Sequence, residues 1–291
     1  MLCGCVDIGS NTTRVLVADA APGGVREVLQ RRAFTRLGHA LAAGRPIPAA
    51  KLEELARVVA EQHALARAAG AQAVRVVATA AIRGAANRDE LVQALSRAAG
   101  VPVDVLGGED EARLAFLGAT RTLGRPLAGA VGVVDVGGGS TELAVGTTAA
   151  GVEWWESFHV GSGVLAAMHG DADPPTGAHV ERLREHAAAA LAHAAPPPVT
   201  TAVAVGGSAA SLRTVVGSVL DARSLHRALE VLCAAPAADV ARRYGLEVER
   251  VKLLPAGLLA LEAAGRCLDS PLEIGHGGLR EGVLLELAGA A

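Results

Sequence analysis

Aromatic residues are scarce in this chain: Phe, Trp and Tyr make up only 2% of its 291 residues. Such a low content argues against a nucleic-acid surface built on base stacking and against an aromatic sugar site. The core must therefore be built from alanine-rich helices and branched aliphatic strands. The hydrophobic content of 51% is sufficient for a large core or for two domains of ordinary size.

An excess of positive charge is also missing. The 27 Lys and Arg residues are outnumbered by 30 Asp and Glu residues, which gives a net charge of −3. No global basic field is available to recruit nucleic acid. Any polyanionic ligand must therefore be bound by local arginines.

Neither a signal peptide nor a membrane span is predicted. Residues 1–5 have no basic head and lead directly into a strand. The low-charge segment 187–212 is interrupted by three prolines at 196–198 and by two glycines at 206–207, which favours a helix end, a linker and a strand. The four cysteines lack metal-ligand spacing. We expect a cytoplasmic protein that binds neither membranes nor nucleic acid.

The first positive signal is a glycine turn between two strands, in residues 133–145 (VVDVGGGSTELAV). Three consecutive glycines remove every Cβ at the tip, so backbone amides can approach an anion closely. Asp135 and Glu142 flank the turn and are oxygen donors of the kind that magnesium takes when it is shared with phosphate. The alternative, a ligand-free hairpin, needs only one or two glycines and no flanking acids.

Residues 5–17 repeat this pattern. Asp7 aligns with Asp135, an offset of 128 residues, and at the same offset Arg14 aligns with Glu142. A repeat of this size predicts two related halves, each opening with a phosphate-binding hairpin. The exchanged charges suggest that one hairpin offers a guanidinium to phosphate oxygens and the other a carboxylate to the bridging metal.

Hydrophobic periodicity predicts an α/β protein with strands over 2–36 and 131–158 and a helix over 49–69. The proline at position 255 predicts a kink in the last long helix. Between the strands of 2–36 and those of 131–158, the sequence predicts helices, short strands and a loop.

Two further positions carry candidate chemistry. Acids at 109–111 follow a diglycine at a helix start, and those at 109 and 110 are explained by the helix dipole. Glu111 lies a helix and a short loop upstream of the Asp135 strand, and we predict that it projects into the cleft between the halves. Residues 206–208 (GGS) follow a strand and open a helix, where an anion site and a packing glycine pair remain equal alternatives.

Six stretches together resemble the exopolyphosphatase and guanosine pentaphosphate phosphohydrolase (Ppx/GppA) family. They occur in the family's order and span nearly the whole chain: residues 6–14 (VDIGSNTTR), 78–83 (ATAAIR), 108–114 (GEDEARL), 135–143 (DVGGGSTEL), 205–208 (VGGS) and 278–282 (GLREG). The resemblance implies two ribonuclease-H-like domains of the actin, sugar-kinase and heat-shock ATPase superfamily around a central cleft. We place them at residues 1–122 and 123–291, with the final helix free to pack back on the first domain.

The resemblance also implies roles for single residues. Glu111 becomes the catalytic base with Arg83 as a second catalytic residue, and Asp135 and Glu142 become metal ligands, to which we add Asp7. Phosphate contacts fall on the two hairpins and the later glycine turn, at Ser10, Asn11, Thr12, Arg14, Gly137, Gly138, Gly139, Ser140, Gly207 and Ser208. The implied metal is Mg²⁺, with Mn²⁺ as the alternative.

The implied activity is metal-dependent hydrolysis of the terminal phosphoanhydride of polyphosphate by a homodimer. Short chains are the expected substrates, since the C-terminal domain of longer members, which resembles an HD phosphohydrolase, is absent from this sequence. Lys252 and Val164 depart from the family pattern and affect substrate detail more than chemistry. The alternatives are hydrolysis of guanosine pentaphosphate, a small-molecule kinase of the same superfamily, and a non-catalytic polyphosphate or alarmone sensor.

Overall fold

The computed structural model describes residues 1–21, 23–37, 44–170 and 172–289, and the chain divides into two compact units. Unit 1 comprises Met1–Thr122 together with Gly277–Ala291, and unit 2 comprises Leu123–His276. The second unit therefore ends at residue 276, and the final helix belongs to unit 1. Among the described helices, none is both long and apolar enough to cross a membrane.

Unit 1 is built on a five-stranded sheet in the order β3-β2-β1-β4-β5. Neighbours β1, β2 and β3 are antiparallel, whereas β4 is parallel to both β1 and β5. This mixed sheet agrees with the ribonuclease-H-like domain that the resemblance implies. The strands are β1 (Leu2–Ile8), β2 (Thr12–Ala21), β3 (Gly24–Phe34), β4 (Ala73–Ala78) and β5 (Val103–Val105), and the helices are α1 (Ala49–Ala68), α2 (Ala80–Arg83), α3 (Arg88–Ala99), α4 (Gly108–Thr122) and the terminal α12 (Leu279–Leu287).

Unit 2 repeats this order with one extra edge strand, as β10-β11-β9-β6-β7-β8. Its strands are β6 (Val131–Val136), β7 (Thr141–Thr147), β8 (Gly151–Phe158), β9 (Thr201–Val205), β10 (Val219–Leu220) and β11 (Leu272–Ile274). Its helices are α5 (Ser162–His169), α6 (Gly177–Leu191), α7 (Gly206–Val216), α8 (Ala222–Cys233), α9 (Ala237–Tyr244), α10 (Val248–Val251) and α11 (Leu254–Cys267). The α/β class predicted from periodicity is confirmed in both units.

The 128-residue repeat extends further than the sequence motifs indicate. In unit 1, Cys3 pairs with Ala73 across β1 and β4, and in unit 2, Val131 pairs with Thr201 across β6 and β9, so both partners are shifted by the same 128 positions. The register shifts at Val17 and Val145 also coincide under this offset. The two units therefore share strand register as well as strand order.

The predicted kink at Pro255 is wrong. Pro255 lies in the first turn of α11, which begins at Leu254. A proline at this position loses no helical hydrogen bond, because the first amides of a helix have no intrahelical acceptor. The helix predicted over 49–69 is confirmed as α1, and Gly70 follows it with a φ of +90°.

Two glycines bring α4 and α12 into backbone contact within unit 1. A Cβ at Gly118 would lie 1.9 Å from the carbonyl oxygen of Gly278, and one at Gly282 would lie 2.1 Å from that of Leu114. Any side chain at either position would force the helices apart. Because α4 carries Glu111 in its first turn, this packing also fixes where that carboxylate lies.

Candidate functional site

The predicted residues of unit 2 gather at the carboxyl ends of the parallel strands β6 and β9. The turn after β6 is closed by the amide of Gly137, which donates to the carbonyl of Ser140 at 3.0 Å. Within the described residues, no hydrogen bond engages the amides of Gly138 and Gly139. We call this turn with Asp135, Glu142 and residues 206–208 the unit 2 cluster.

A second loop supports the turn. The carbonyl of Gly138 accepts the amides of Gly163 and Val164 at 2.9 and 3.0 Å, and a Cβ at Gly161 would lie 2.6 Å from the carbonyl carbon of Gly138. The turn's carbonyls are thereby engaged by the 161–164 loop. Sequence reasoning identified this loop only as a helix start, because its contact with the turn is made through backbone atoms.

Asp135 and Glu142 are directly paired across β6 and β7, so both side chains lie on one face of the sheet. Glu142 is only 4% exposed, and its Oε1 accepts a hydrogen bond from Ser157 Oγ at 2.9 Å. Ser157, a partner that sequence reasoning missed, holds the carboxylate in place.

Asp135 lies against Gly206, at the start of α7. Gly206 has a φ of +88°, and a Cβ there would lie 2.4 Å from Asp135 Oδ1. The glycine is therefore required twice, for its left-handed backbone and for the close approach of the carboxylate. The sequence left an anion site and a packing glycine pair as alternatives for residues 206–208, and close packing accounts for the glycine at position 206.

The donor set fits a hard divalent cation that keeps much of its water. Two carboxylates face the same side, and the described residues contain no group of three or more His, Cys, Asp or Glu that could hold a metal. Magnesium commonly binds through one or two carboxylates and takes its remaining ligands from water and phosphate. The residues present therefore suit magnesium better than a metal that needs a complete protein cage.

Ser208 has a buried hydroxyl. Its side chain is 1% exposed, its Oγ has no hydrogen-bond partner among the described residues, and that oxygen would lie 2.2 Å from a Cβ at Gly257 of α11. The hydroxyl is packed against α11 because Gly257 leaves room for it. Only the backbone amides of Gly207 and Ser208, in the first turn of α7, remain suitable for a phosphate.

The hairpin of unit 1 has the same turn as that of unit 2. Gly9 donates its amide to the carbonyl of Thr12 at 3.0 Å, the bond that Gly137 and Ser140 form 128 residues later. Asp7 is paired with Arg14 across β1 and β2, at the positions that Asp135 and Glu142 occupy in unit 2. Arg14 in unit 1 and Glu142 in unit 2, which carry opposite charges, therefore occupy equivalent positions in the two hairpins.

Side chains of this hairpin offer several donors. Arg14 Nε donates to Thr12 Oγ1 at 3.0 Å, which leaves the Thr12 hydroxyl hydrogen available for an acceptor. Asn11 Nδ2 is buried and has no hydrogen-bond partner in the part of the chain that the structure describes, and Ser10 is 4% exposed. We call residues 9–12 with Asp7 and Arg14 the unit 1 cluster.

Burial raises the pKa of Asp7, and the nearby charges of Arg14 and Arg280 oppose that rise. A carboxylate that loses water on burial is stabilised by a neighbouring cation. A metal ion could supply the same stabilisation that the charges of Arg14 and Arg280 supply to the Asp7 carboxylate.

Glu111 and Arg83 meet as an ion pair in unit 1. Arg83 Nη1 donates to Glu111 Oε1 and also to the carbonyl of Leu106, the latter at 2.7 Å. Glu111 is 4% exposed. The arginine thus fixes one oxygen of a buried carboxylate, a geometry that orients a general base for a water molecule.

Backbone bonds place this pair near the end of β1. The amide of Thr79, which precedes α2, donates to the carbonyl of Ile8 at 3.2 Å, and the amide of Leu106 donates to Ala78 at 2.9 Å. Arg83 and the start of α4 are therefore anchored at the carboxyl ends of β1 and β4. In open α/β sheets, ligands bind at this edge.

Known proteins of one family resemble this chain. A model of the Ppx/GppA phosphatase family matches residues 16–291. Exopolyphosphatase 1 of Mycobacterium tuberculosis H37Rv is 31% identical over 98% of this chain and 88% of its own length, and that of Mycobacterium leprae is 30% identical over 98% and 89%.

Solved structures show the same fold. The Ppx/GppA family member of Aquifex aeolicus superposes with a TM-score of 0.80 at 30% identity, covering 99% of this chain and 97% of that chain. An exopolyphosphatase of Cytophaga hutchinsonii shares the fold with a TM-score of 0.84 at 18% identity, covering 100% and 99%. The family match over most of the chain and the relatives above 30% identity give one conclusion: the chain belongs to the Ppx/GppA phosphatase family.

Proposed function

We propose that the protein is an exopolyphosphatase that hydrolyses the terminal phosphoanhydride of inorganic polyphosphate and releases orthophosphate. The observation that carries the proposal is the placement of Asp135 and Glu142 on one face of the sheet, beside a glycine turn whose tip amides are unbonded. The similarity to mycobacterial exopolyphosphatases supports polyphosphate as the substrate.

In this proposal the unit 2 cluster binds the metal and the phosphates it neutralises. Asp135 and Glu142 hold Mg²⁺, or Mn²⁺ in its place, and Asp7 offers a metal-binding carboxylate in unit 1. When bound, the ion neutralises charge that develops on the phosphate oxygens. The amides of Gly138, Gly139 and Gly207 donate hydrogen bonds to phosphate oxygens that carry no metal.

The unit 1 residues bind phosphate and activate water. Arg14, Asn11 and the hydroxyls of Ser10 and Thr12 donate to non-bridging oxygens, and a guanidinium does so with a forked geometry that lysine cannot copy. Glu111, oriented by Arg83, accepts the proton of the attacking water. Phosphoryl transfer requires mainly positioning and charge neutralisation, which these groups supply.

The test is phosphate release from purified protein offered polyphosphate of several lengths, guanosine pentaphosphate and ATP, each with and without magnesium. We expect orthophosphate from polyphosphate without any acceptor and only in the presence of a divalent ion. Release from guanosine pentaphosphate alone would assign the activity to that substrate. A requirement for an acceptor would indicate a kinase, and binding without release would indicate a sensor.

The exchanged charges of the two hairpins make opposite predictions for two variants. Arg14→Ala removes a charge-assisted hydrogen bond to phosphate and is expected to raise KM about 10-fold. Glu142→Gln removes a metal ligand and is expected to raise the magnesium concentration needed for half-maximal rate. Arg26→Ala, which removes an exposed charge from the unit 1 sheet that also carries Arg14, serves as the control. Steady-state kinetics at several magnesium concentrations distinguish the two effects, and the reverse pattern would contradict the assignment.

Gly206→Ala is expected to disturb the metal site through Asp135. The new Cβ would lie 2.4 Å from Asp135 Oδ1, and the backbone would keep a strained φ. Gly217→Ala, at the other end of α7, carries similar strain with no atom within 4 Å of its Cβ. Both variants should lose about 1–2 kcal/mol of stability. Only Gly206→Ala should also raise the magnesium requirement, and an unchanged requirement would remove Gly206 from this role.

The proposal also includes a homodimer in the cytoplasm. The family resemblance supports the homodimer.

A further inference from the structure

Arg280, in the first turn of α12, has an unusual environment for a charged residue. Its side chain is 13% exposed, and its Nη1 atom is buried without a hydrogen-bond partner among the described residues. The nearest carboxylate oxygen in the described residues belongs to Glu281, at 4.0 Å from Nη2, and the other oxygen of that carboxylate accepts the amide of Gly278 at 2.8 Å. Leaving a buried donor unpaired costs about 1–3 kcal/mol, so an acceptor that reaches this guanidinium would be bound favourably.

The helix that carries Arg280, α12, packs on the sheet of unit 1. Leu279, Val283 and Leu284 of α12 pack on the sheet face that includes Cys5 and Leu16. Side chains two residues apart on a strand share a face, so Asp7 and Arg14 lie on that face as well.

Charge gives a second, independent indication. The charges of Arg14 and Arg280 both act on the Asp7 carboxyl, and Glu281 acts on it more weakly than either arginine. Arg14 and an ionised Asp7 alone would carry no net charge. Arg280 adds a second guanidinium, and because Asp7 and Glu281 balance the two arginines in formal charge, the place offers an anion hydrogen-bond donors rather than net positive charge.

We propose that Arg280 is a substrate-binding residue that contacts a phosphate group of the polyphosphate chain at the unit 1 cluster, together with Arg14. This inference rests on the proposed function, since the anion it names is the substrate of that function. It gives a role to the GLREG stretch, in which Glu281 caps the helix, Gly282 packs against α4 and Arg280 binds the ligand.

The binding of tripolyphosphate tests this assignment. Titration calorimetry with magnesium is performed in a Glu111→Gln background, so that the probe is not hydrolysed. We expect Arg280→Ala to raise the Kd about 10-fold or more, as the loss of a charge-assisted hydrogen bond requires. Arg280→Lys should have an intermediate effect, because lysine keeps the charge and loses the fork.

Two controls separate binding from structure. Arg57→Ala removes an exposed charge from α1 of the same unit and should leave the Kd within twofold. Arg280→Gln retains a polar side chain for packing and replaces Arg280→Ala if that variant does not fold. A purely structural role predicts a lower Tm in every Arg280 variant and an unchanged Kd in the folded protein.

The outcomes are distinct. If the Arg280 variants bind like Arg57→Ala while the wild-type protein releases phosphate from polyphosphate, this inference is overturned and the proposed function stands. If the wild-type protein neither binds nor hydrolyses polyphosphate, the proposed function fails and the inference fails with it. Weaker binding confined to the Arg280 variants supports both.

Discussion

Glu111→Gln is expected to lower kcat at least ~100-fold with little change in KM, because general-base catalysis contributes about 100- to 10,000-fold. Glutamine keeps the shape of the side chain and can accept the hydrogen bond from Arg83 through its amide oxygen. It cannot take the proton of the attacking water. Phosphate release under saturating polyphosphate and magnesium measures the effect.

Glu109→Gln is the matched control for this prediction. Glu109 lies in the same first turn of α4 but is exposed, where its charge complements the helix dipole. It should retain kcat within about twofold, because no buried partner is lost and surface substitutions usually have small effects. Circular dichroism establishes that both variants are folded. Turnover near the wild-type value in Glu111→Gln would remove Glu111 from the role of base.

Gly118→Ala is expected to destabilise unit 1 by about 3 kcal/mol, at the upper end of what overpacking usually costs. The new Cβ would lie 1.9 Å from the carbonyl oxygen of Gly278 and 2.9 Å from the amide nitrogen of Gly282. Both are backbone atoms, so no side-chain rotation relieves the contact. The gain in helix propensity from Gly to Ala, about 1 kcal/mol, is too small to compensate.

The two tryptophans allow this loss to be assigned to one unit. Trp154 and Trp155 both lie in β8, so their fluorescence follows the unfolding of unit 2, whereas circular dichroism follows both units. In urea, Gly118→Ala should shift the circular-dichroism transition more than the tryptophan transition. Gly177→Ala, at the start of α6, adds a Cβ with no atom within 4 Å and is the control. Equal stability of the two variants would contradict the close packing of α4 and α12.

The hairpins were predictable from sequence because their determinants are local. The alignment of Asp7 with Asp135 required only a fixed offset, and a glycine turn between two strands sets the pairing of Asp7 with Arg14 and of Asp135 with Glu142. The same offset in β4 and β9 was not found. Those strands share only the valine at 77 and 205 among five aligned positions, so their common register appears only in the pairing.

Features that depend on distant parts of the chain were not predicted. Ser208 was predicted to contact phosphate, but the burial of its hydroxyl depends on the missing side chain at Gly257, on a different helix. The place of Arg280 beside Asp7 depends on how α12 packs on the sheet. No local sequence pattern predicts such packing. The ion pair between Arg83 and Glu111 was not predicted for the same reason, because its two residues are 28 positions apart.

The membership of α12 in unit 1 has a consequence for biosynthesis. A ribosome makes the whole of unit 2 before it makes residues 277–289, which complete the first unit. Until then the face of the first sheet around Cys5 and Leu16 lacks its covering helix, and α4 lacks its glycine-packed neighbour. The later-made unit is thus the first to have all its residues, and the nascent chain leaves an apolar surface for chaperones to cover until residues 277–289 have been made.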